Sequence, residues 1–119
     1  MAIEGKWRIT EMDLWDQEAI DLLGPAFIEF KGQRGHFRFI AVDGRTDCRH
    51  GRRDGQPSID FTWEGNDEGD PASGRGWITL GKDGSLTVHI YFHNGDDSAF
   101  KAIPFHTDEK GPPMTRDVR

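Results

Sequence analysis

Cysteine is almost absent from this chain of 119 residues, because Cys48 is the only one. An internal disulfide is therefore excluded, and with it the class of small secreted scaffolds that depend on several. The sequence also lacks an apolar leader segment and any run that approaches the ~20 apolar residues of a membrane span. These absences predict a protein of the reducing cytoplasm, with Cys48 as a buried apolar group rather than a nucleophile.

Positive charge is in deficit: 15 Lys and Arg residues stand against 21 Asp and Glu residues, which gives a net charge of -6. Nonspecific binding to nucleic acid or to anionic lipid needs a basic surface, so we expect neither as a partner. One local group of arginines has aspartates between its members, which favours a solvated hairpin of mixed charge over the alternative of a phosphate-binding patch. This group consists of Arg45, Arg49, Arg52 and Arg53.

The length allows one domain with one core. Regular hydrophobic patterning runs through residues 1–104, whereas 105–119 have no periodicity and include Gly111, Pro112 and Pro113. We therefore predict a single domain over 1–104 and a flexible C-terminal tail over 105–119.

Alternation of polar and apolar residues dominates the domain. It is clear at 5–10, 26–30, 36–39, 58–63 and 86–93, and weaker at 46–50, 76–80 and 98–103. A period of two indicates strands with one buried and one solvated face. Short turns rich in Gly, Asn and Asp separate these segments, and about eight strands connected in this way predict an antiparallel meander.

Every predicted strand has one apolar face, and a sheet closed on itself would bury all of these faces together. We therefore predict an all-β fold, a small antiparallel up-and-down β-barrel of about eight strands. Two stacked sheets would show the same alternation and are the alternative. Large aromatic residues occupy many inward positions, which favours a filled interior. They are Trp7, Phe30, Phe37, Phe39, Phe61, Trp63, Phe92 and Phe100.

One helical segment is predicted at 17–23, between the first two strands. Asp16 can cap its N-terminus, and Gly24-Pro25 ends it. A helix of about two turns is too short to be stable alone, so it must pack against the barrel, most simply over one mouth.

Gly5-Lys6-Trp7 on the first strand resembles the Gly-x-Trp of lipocalins and fatty-acid-binding proteins, in which the tryptophan plugs one barrel end. The short helix between the first two strands also resembles the lid of fatty-acid-binding proteins. These likenesses imply a calycin-like barrel. They do not extend to the arginine and tyrosine that hold a fatty-acid carboxylate in those proteins, because Phe100-Lys101-Ala102 stands there instead.

The segments FTWEGNDE (61–68), DPASGRGW (70–77) and GDDSAF (95–100) resemble those of a family of small bacterial proteins. No activity is assigned to that family, and the resemblance spans 7–102. It implies a compact, single-domain bacterial protein and no particular reaction.

The acidic, glycine-rich connections between strands hold the functional candidates. Alternate connections of an up-and-down barrel lie at the same end, and here these are 12–25, 42–45, 64–76 and 94–97. One rim would then collect carboxylates from distant parts of the chain, together with Arg45, Arg75 and His93. The carboxylates are Asp13, Asp16, Asp43, Glu64, Asp67, Glu68, Asp70, Asp96 and Asp97.

Three interpretations of this rim are open. The carboxylates can form turns by accepting backbone N–H groups, with Arg75 bridging two loops. Alternate oxygen ligands from Glu64 to Asp70 can bind a divalent cation, although they lack the spacing of a known calcium loop. The rim can also hold a small or cationic ligand, or a basic segment of a partner protein.

His89 and His93 lie four residues apart on one strand, with Cβ atoms roughly 13 Å apart, so by themselves they cannot chelate one zinc ion. His93 lies beside the last acidic connection and can pair with Asp96 or Asp97 as an acid or base.

We predict a non-catalytic binding module that presents the acidic rim to a small molecule or a protein partner. No catalytic residue, metal or cofactor is assigned, and we expect a monomer or a weak homodimer. The alternative is a divalent-metal-dependent enzyme that uses the same carboxylates, with His93 as the acid or base. The predicted ligand-binding residues are Trp15, Glu64, Asp67, Glu68, Asp70, Arg75, Trp77, Asp96 and Asp97.

Overall fold

The alternating segments of the sequence form a set of antiparallel strands in the computed structural model, which describes residues 3–13 and 15–105. The tail predicted at 105–119 lies, apart from Phe105, outside the described residues. A short helix, α1 (Gln17–Ile20), lies between the first two strands. The strands are β1 (Gly5–Met12), β2 (Phe27–Lys31), β3 (Arg34–Phe39), β4 (Val42–Arg53), β5 (Gln56–Asp67), β6 (Asp70–Leu80), β7 (Leu86–Phe92) and β8 (Asp97–Pro104).

The sheet closes on itself. Each strand pairs with its neighbours in the sequence, and β1 pairs with β8 from Trp7 opposite Pro104 to Met12 opposite Phe100. The predicted antiparallel β-barrel is confirmed, and the alternative of two stacked sheets is wrong. Closure removes the open edges that a stacked sheet would present to other chains.

None of the helices in the described part of the chain is long and apolar enough to cross a membrane.

Aromatic rings and glycines fill the barrel interior together. Phe37, Phe39 and Trp63 are each 3 % exposed or less. The rings of Phe37 and Trp63 meet edge to face, with centroids 5.2 Å apart. A Cβ atom on Gly44 would lie 2.5 Å from the Phe37 ring, and one on Gly76 would overlap the Phe61 ring. These glycines therefore provide the space that the rings occupy.

The acidic segment predicted as a loop at 64–76 is a hairpin instead. β5 and β6 stay paired as far as Asp67 opposite Asp70, and only Glu68 and Gly69 form the turn. Both turn residues have positive φ, 54° and 89°, as a tight two-residue hairpin requires. These parts of β5 and β6 were not predicted as strands, because small residues occupy their inward positions and leave no alternation of polar and apolar residues. These residues are Gly65, Ala72 and Gly74.

The turn predicted at 42–45 also lies within a strand. β3 and β4 pair as far as Phe39 opposite Val42, so their turn is Ile40-Ala41. Ile40 has a φ of 55°, which costs roughly 1–2 kcal/mol for a side chain branched at Cβ. Asp43-Gly44 has the composition of a hairpin turn. Gly44 lies inside β4 instead, where the lack of a side chain leaves room for the Phe37 ring.

The helix is shorter than the one predicted at 17–23. Asp16 caps it as expected, by accepting the N–H of a residue in its first turn. Asp21 follows it, and its carboxylate accepts hydrogen bonds from Arg8 on β1 and from the N–H of Ala26. These bonds turn the chain back toward β2 after a single helical turn.

Candidate functional site

The connections β1–β2, β3–β4, β5–β6 and β7–β8 lie at one end of the barrel, which we call the mouth. Main-chain hydrogen bonds join three of them. The N–H of Ile40 donates to the carbonyl of Ile20 at 2.8 Å, and the N–H of Glu68 donates to the carbonyl of Ala41 at 3.1 Å. The helix and two hairpin turns are therefore tied to one another.

A pocket of about 430 Å³ opens at this end, and we call it the mouth pocket. All four connections contribute to its wall, through Trp15, Ile40, Glu68 and Asp96. The structure thus brings together in one cavity residues that are far apart in the sequence, from Trp15 after β1 to Asp96 before β8.

The floor of the mouth pocket is aromatic. The centroid of the Phe39 ring lies 6.2 Å from that of Trp15 and 6.3 Å from that of Phe92. Phe39 is 1 % exposed, whereas Trp15 and Phe92 are only partly buried. The pocket therefore stops at the Phe39 ring, as a shallow depression over a filled barrel.

The rim of the mouth pocket is acidic. Asp67, Glu68 and Asp96 line it, and no lysine or arginine of the described residues does. Within the described residues, these three carboxylates accept no hydrogen bond and form no ion pair. The interpretation in which they serve to accept backbone N–H groups is therefore wrong for these three, and their charges stay available to a ligand.

The interpretation of the rim as a divalent-cation site requires the alternate acidic residues to converge. Glu64 lies on the outer face of β5, opposite Arg45 and Ser73, whereas Glu68 lies in the turn. In the described part of the chain, no three His, Cys, Asp or Glu side chains are grouped to hold a metal ion. The geometry thus offers no preformed ligand set there.

The structure divides the predicted ligand-binding residues between two places. Those at the mouth pocket are Trp15, Asp67, Glu68 and Asp96, with Asp70 across the turn from Asp67. Those on the outer wall of the barrel are Glu64, Arg75, Trp77 and Asp97.

Arg75 does not bridge the acidic connections. Its side chain lies on the outer face of β6, with Cζ 4.1 Å from the centre of the Tyr91 ring on β7. Trp77 lies two residues along the same face, where its ring stacks on His89 and the guanidinium of Arg53 lies 5.0 Å from its centre. Both residues were expected at the rim because their segment had the composition of a loop. As strand residues they lie on the barrel wall.

His93 is exposed and lines the mouth pocket. Its predicted pairing with Asp96 or Asp97 does not occur among the described residues, since Asp97 pairs with His89 at 2.6 Å instead. His93 therefore lacks the orienting carboxylate that commonly accompanies a catalytic imidazole.

Sequence reasoning missed the residues that make the mouth pocket apolar. Phe39 and Phe92 were assigned only to the core. The turn that follows Phe39, Ile40-Ala41, contains neither Gly nor Asn nor Asp. The sequence therefore gave no sign of a turn at this position. A hydrophobic two-residue turn can be found only from the register of the strands beside it.

No protein-family model, curated protein or solved structure matches this chain.

Proposed function

We propose that the protein is a non-catalytic binding module whose mouth pocket takes a small ligand with an apolar body and a cationic group. One observation carries the proposal: an aromatic floor and an unneutralised acidic rim belong to the same pocket. Apolar area removed from water stabilises a complex by about 25 cal/mol per Å². A cation gains attraction to Asp67, Glu68 and Asp96 without displacing another partner.

The dimensions of the pocket support a small ligand. A volume of about 430 Å³ falls within the range of small-molecule sites. Because the Phe39 ring closes the floor, the pocket suits a ligand of one or two rings rather than a long acyl chain. Trp15 supplies a flat apolar wall on the side of α1.

Binding rather than catalysis is the activity that this arrangement supports. Among the described residues, His93 in the pocket lining forms no ion pair with a carboxylate, and Asp97 is engaged by His89. We place this binding function in the cytoplasm, in a monomer or weak homodimer, as the sequence predicts.

Two probes of similar shape and opposite charge test the proposal. Phenethylamine carries an ammonium group, and 3-phenylpropionate carries a carboxylate on a comparable body. We expect the amine to bind saturably, with shifts of the Trp15 indole and Gly95 amide resonances in NMR spectra, and the carboxylate to bind far more weakly. Equal binding of the two probes would overturn the proposal.

Charge variants locate the site. Asp67→Asn and Asp96→Asn should each weaken amine binding about two- to fivefold, as expected for exposed charge pairs. Asp54→Asn is the matched control. It removes the same charge from the β4–β5 turn at the opposite end, at a residue with φ 53° that asparagine adopts readily. If Asp54→Asn weakens binding as much as the mouth variants, the ligand does not occupy the mouth pocket.

A further inference from the structure

Arg75 is held in a fixed position on the outer wall of the barrel. It lies opposite Thr62 on β5 and opposite Tyr91 on β7. Its Cζ atom is 4.1 Å from the centre of the Tyr91 ring, a distance at which a guanidinium stacks on the ring face. Stacking occupies one face of the guanidinium, and the N–H donors lie at its edge, where stacking does not cover them.

Three carboxylates on the wall around Arg75 have basic partners. Asp47 pairs with Arg49 at 2.9 Å, and Asp60 pairs with Arg53 at 3.3 Å. On the far side of Tyr91, Asp97 pairs with His89. Glu64 lies opposite Arg45 in the register of β4 and β5, with no ion pair between these two described side chains. Arg75 itself forms no ion pair and donates no side-chain hydrogen bond within residues 3–13 and 15–105.

The groove beside Arg75 contains further hydrogen-bond donors. It has a volume of about 510 Å³ and is lined in part by Thr62, Ser73, His93 and Asn94. The hydroxyl groups of Thr62 and Ser73 have no hydrogen-bond partner in the part of the chain described. Hydroxyl, amide and guanidinium donors around one groove are the groups that recognise a phosphate or a carboxylate.

We propose that this groove is an oxyanion site, in which the guanidinium of Arg75 binds a phosphate monoester or a carboxylate. Thr62 and Ser73 donate to the remaining oxygens of the anion. Arg45 and Glu64 both line the adjoining cavity, so their charges offset each other and the guanidinium of Arg75 supplies the positive charge of the site. The groove shares Ser73 and His93 with the mouth pocket, but it selects negative charge, so anionic and cationic probes test the two sites separately.

Inorganic phosphate and acetate, titrated separately at constant ionic strength, are the probes. We expect saturable shifts of the Arg75 Nε–H resonance and of the Thr62 and Asn94 amide resonances. Binding of phosphate alone would identify the ligand as a phosphate monoester, and binding of both would extend the class to carboxylates. Saturation by neither probe would overturn the proposal.

Two variants separate a specific site from general electrostatic attraction. Arg75→Gln should weaken phosphate binding about tenfold, the loss expected for a charge-assisted hydrogen bond. Arg38→Gln is the matched control, because Arg38 also lies over an aromatic ring, that of Phe27 at 5.5 Å, but on the distant strand β3. Equal weakening by the two variants would overturn the proposal.

Arg75→Lys tests the same site in a protein that keeps its net charge. The ammonium group cannot supply the planar pair of donors, so phosphate binding should again fall well below that of the unaltered protein. Full retention of binding in Arg75→Lys would overturn the role assigned to the guanidinium.

Discussion

Arg8 on β1 holds Asp21, the residue after α1, through two parallel hydrogen bonds. Nη1 lies 2.8 Å from Oδ1, and Nη2 lies 2.6 Å from Oδ2. The two side chains are only 27 % and 24 % exposed, and the same carboxylate also accepts the N–H of Ala26. This pair fastens the helical segment over the mouth to the wall of the barrel.

Asp21→Asn should destabilise the protein by about 1–3 kcal/mol, because an amide cannot accept from both guanidinium nitrogens. Urea denaturation at neutral pH measures the change. Asp47→Asn is the control: its pair with Arg49 is 68 % and 62 % exposed, so the expected cost is below about 1 kcal/mol. Equal costs for the two variants would show that the Arg8–Asp21 pair is no stronger than a surface ion pair.

Acid should weaken the same contact in a defined range. The hydrogen bond from Arg8 is the main reason that the pKa of Asp21 is lowered from 3.8 to about 2. A lowered pKa in the folded state means that the stabilisation is complete above the unfolded value of 3.8 and is lost as the pH falls toward 2. Between these two pH values the free energy of unfolding of the unaltered protein should fall by about 1–2 kcal/mol more than that of Asp21→Asn, after allowance for solvent screening. Parallel stability curves for the two proteins would contradict this expectation.

Gly44→Ala should destabilise the barrel by about 1–3 kcal/mol, because its Cβ would lie 2.5 Å from the Phe37 ring in a filled interior. Gly51→Ala in the same strand is the control, since its Cβ would meet only the Ser58 hydroxyl at 3.7 Å. Thermal unfolding compares the two variants. The double change Gly44→Ala with Phe37→Leu should recover part of the loss, and no recovery would mean that the clash involves a different neighbour.

Cys48 should be inert in the folded protein. It is 0 % exposed, and burial raises the pKa of its thiol. Because the thiolate is the reactive form, a thiol reagent at mildly alkaline pH should label the protein only after urea unfolds it. Rapid labelling without urea would contradict the inward position of Cys48 on β4, and the denatured protein serves as the positive control.

Alternation predicted the strands wherever the inward residues are large. Ile9 on β1 and the run from Leu86 to Phe92 are examples, and the barrel follows from them because every strand buries only one face. The prediction was wrong where inward positions carry glycine or alanine, as at Gly65 and Ala72, since such residues look like loop in a sequence.

The candidate site was predictable only in part. Asp67 and Asp96 reach one pocket because alternate connections lie at one end, a consequence of strand order that the sequence already contains. The position of Arg75 was not predictable, because it depends on its register opposite Tyr91. Register across strands comes from pairing in space, and the composition of a segment does not determine it.

The glycines that face the rings affect how the barrel interior would respond to the loss of a ring. A core packed only with side chains such as Leu, Ile and Val would respond differently. Where Phe37 rests on Gly44, or Phe61 on Gly76, the backbone opposite has no side chain that can shift to replace a missing ring. Cutting back one such ring would leave an apolar void walled on that side by main chain, similar to the dry cavities that accept benzene in engineered proteins. A single shortened ring opposite one of these glycines should therefore be replaced more readily by a small apolar guest molecule than by the collapse of its neighbours.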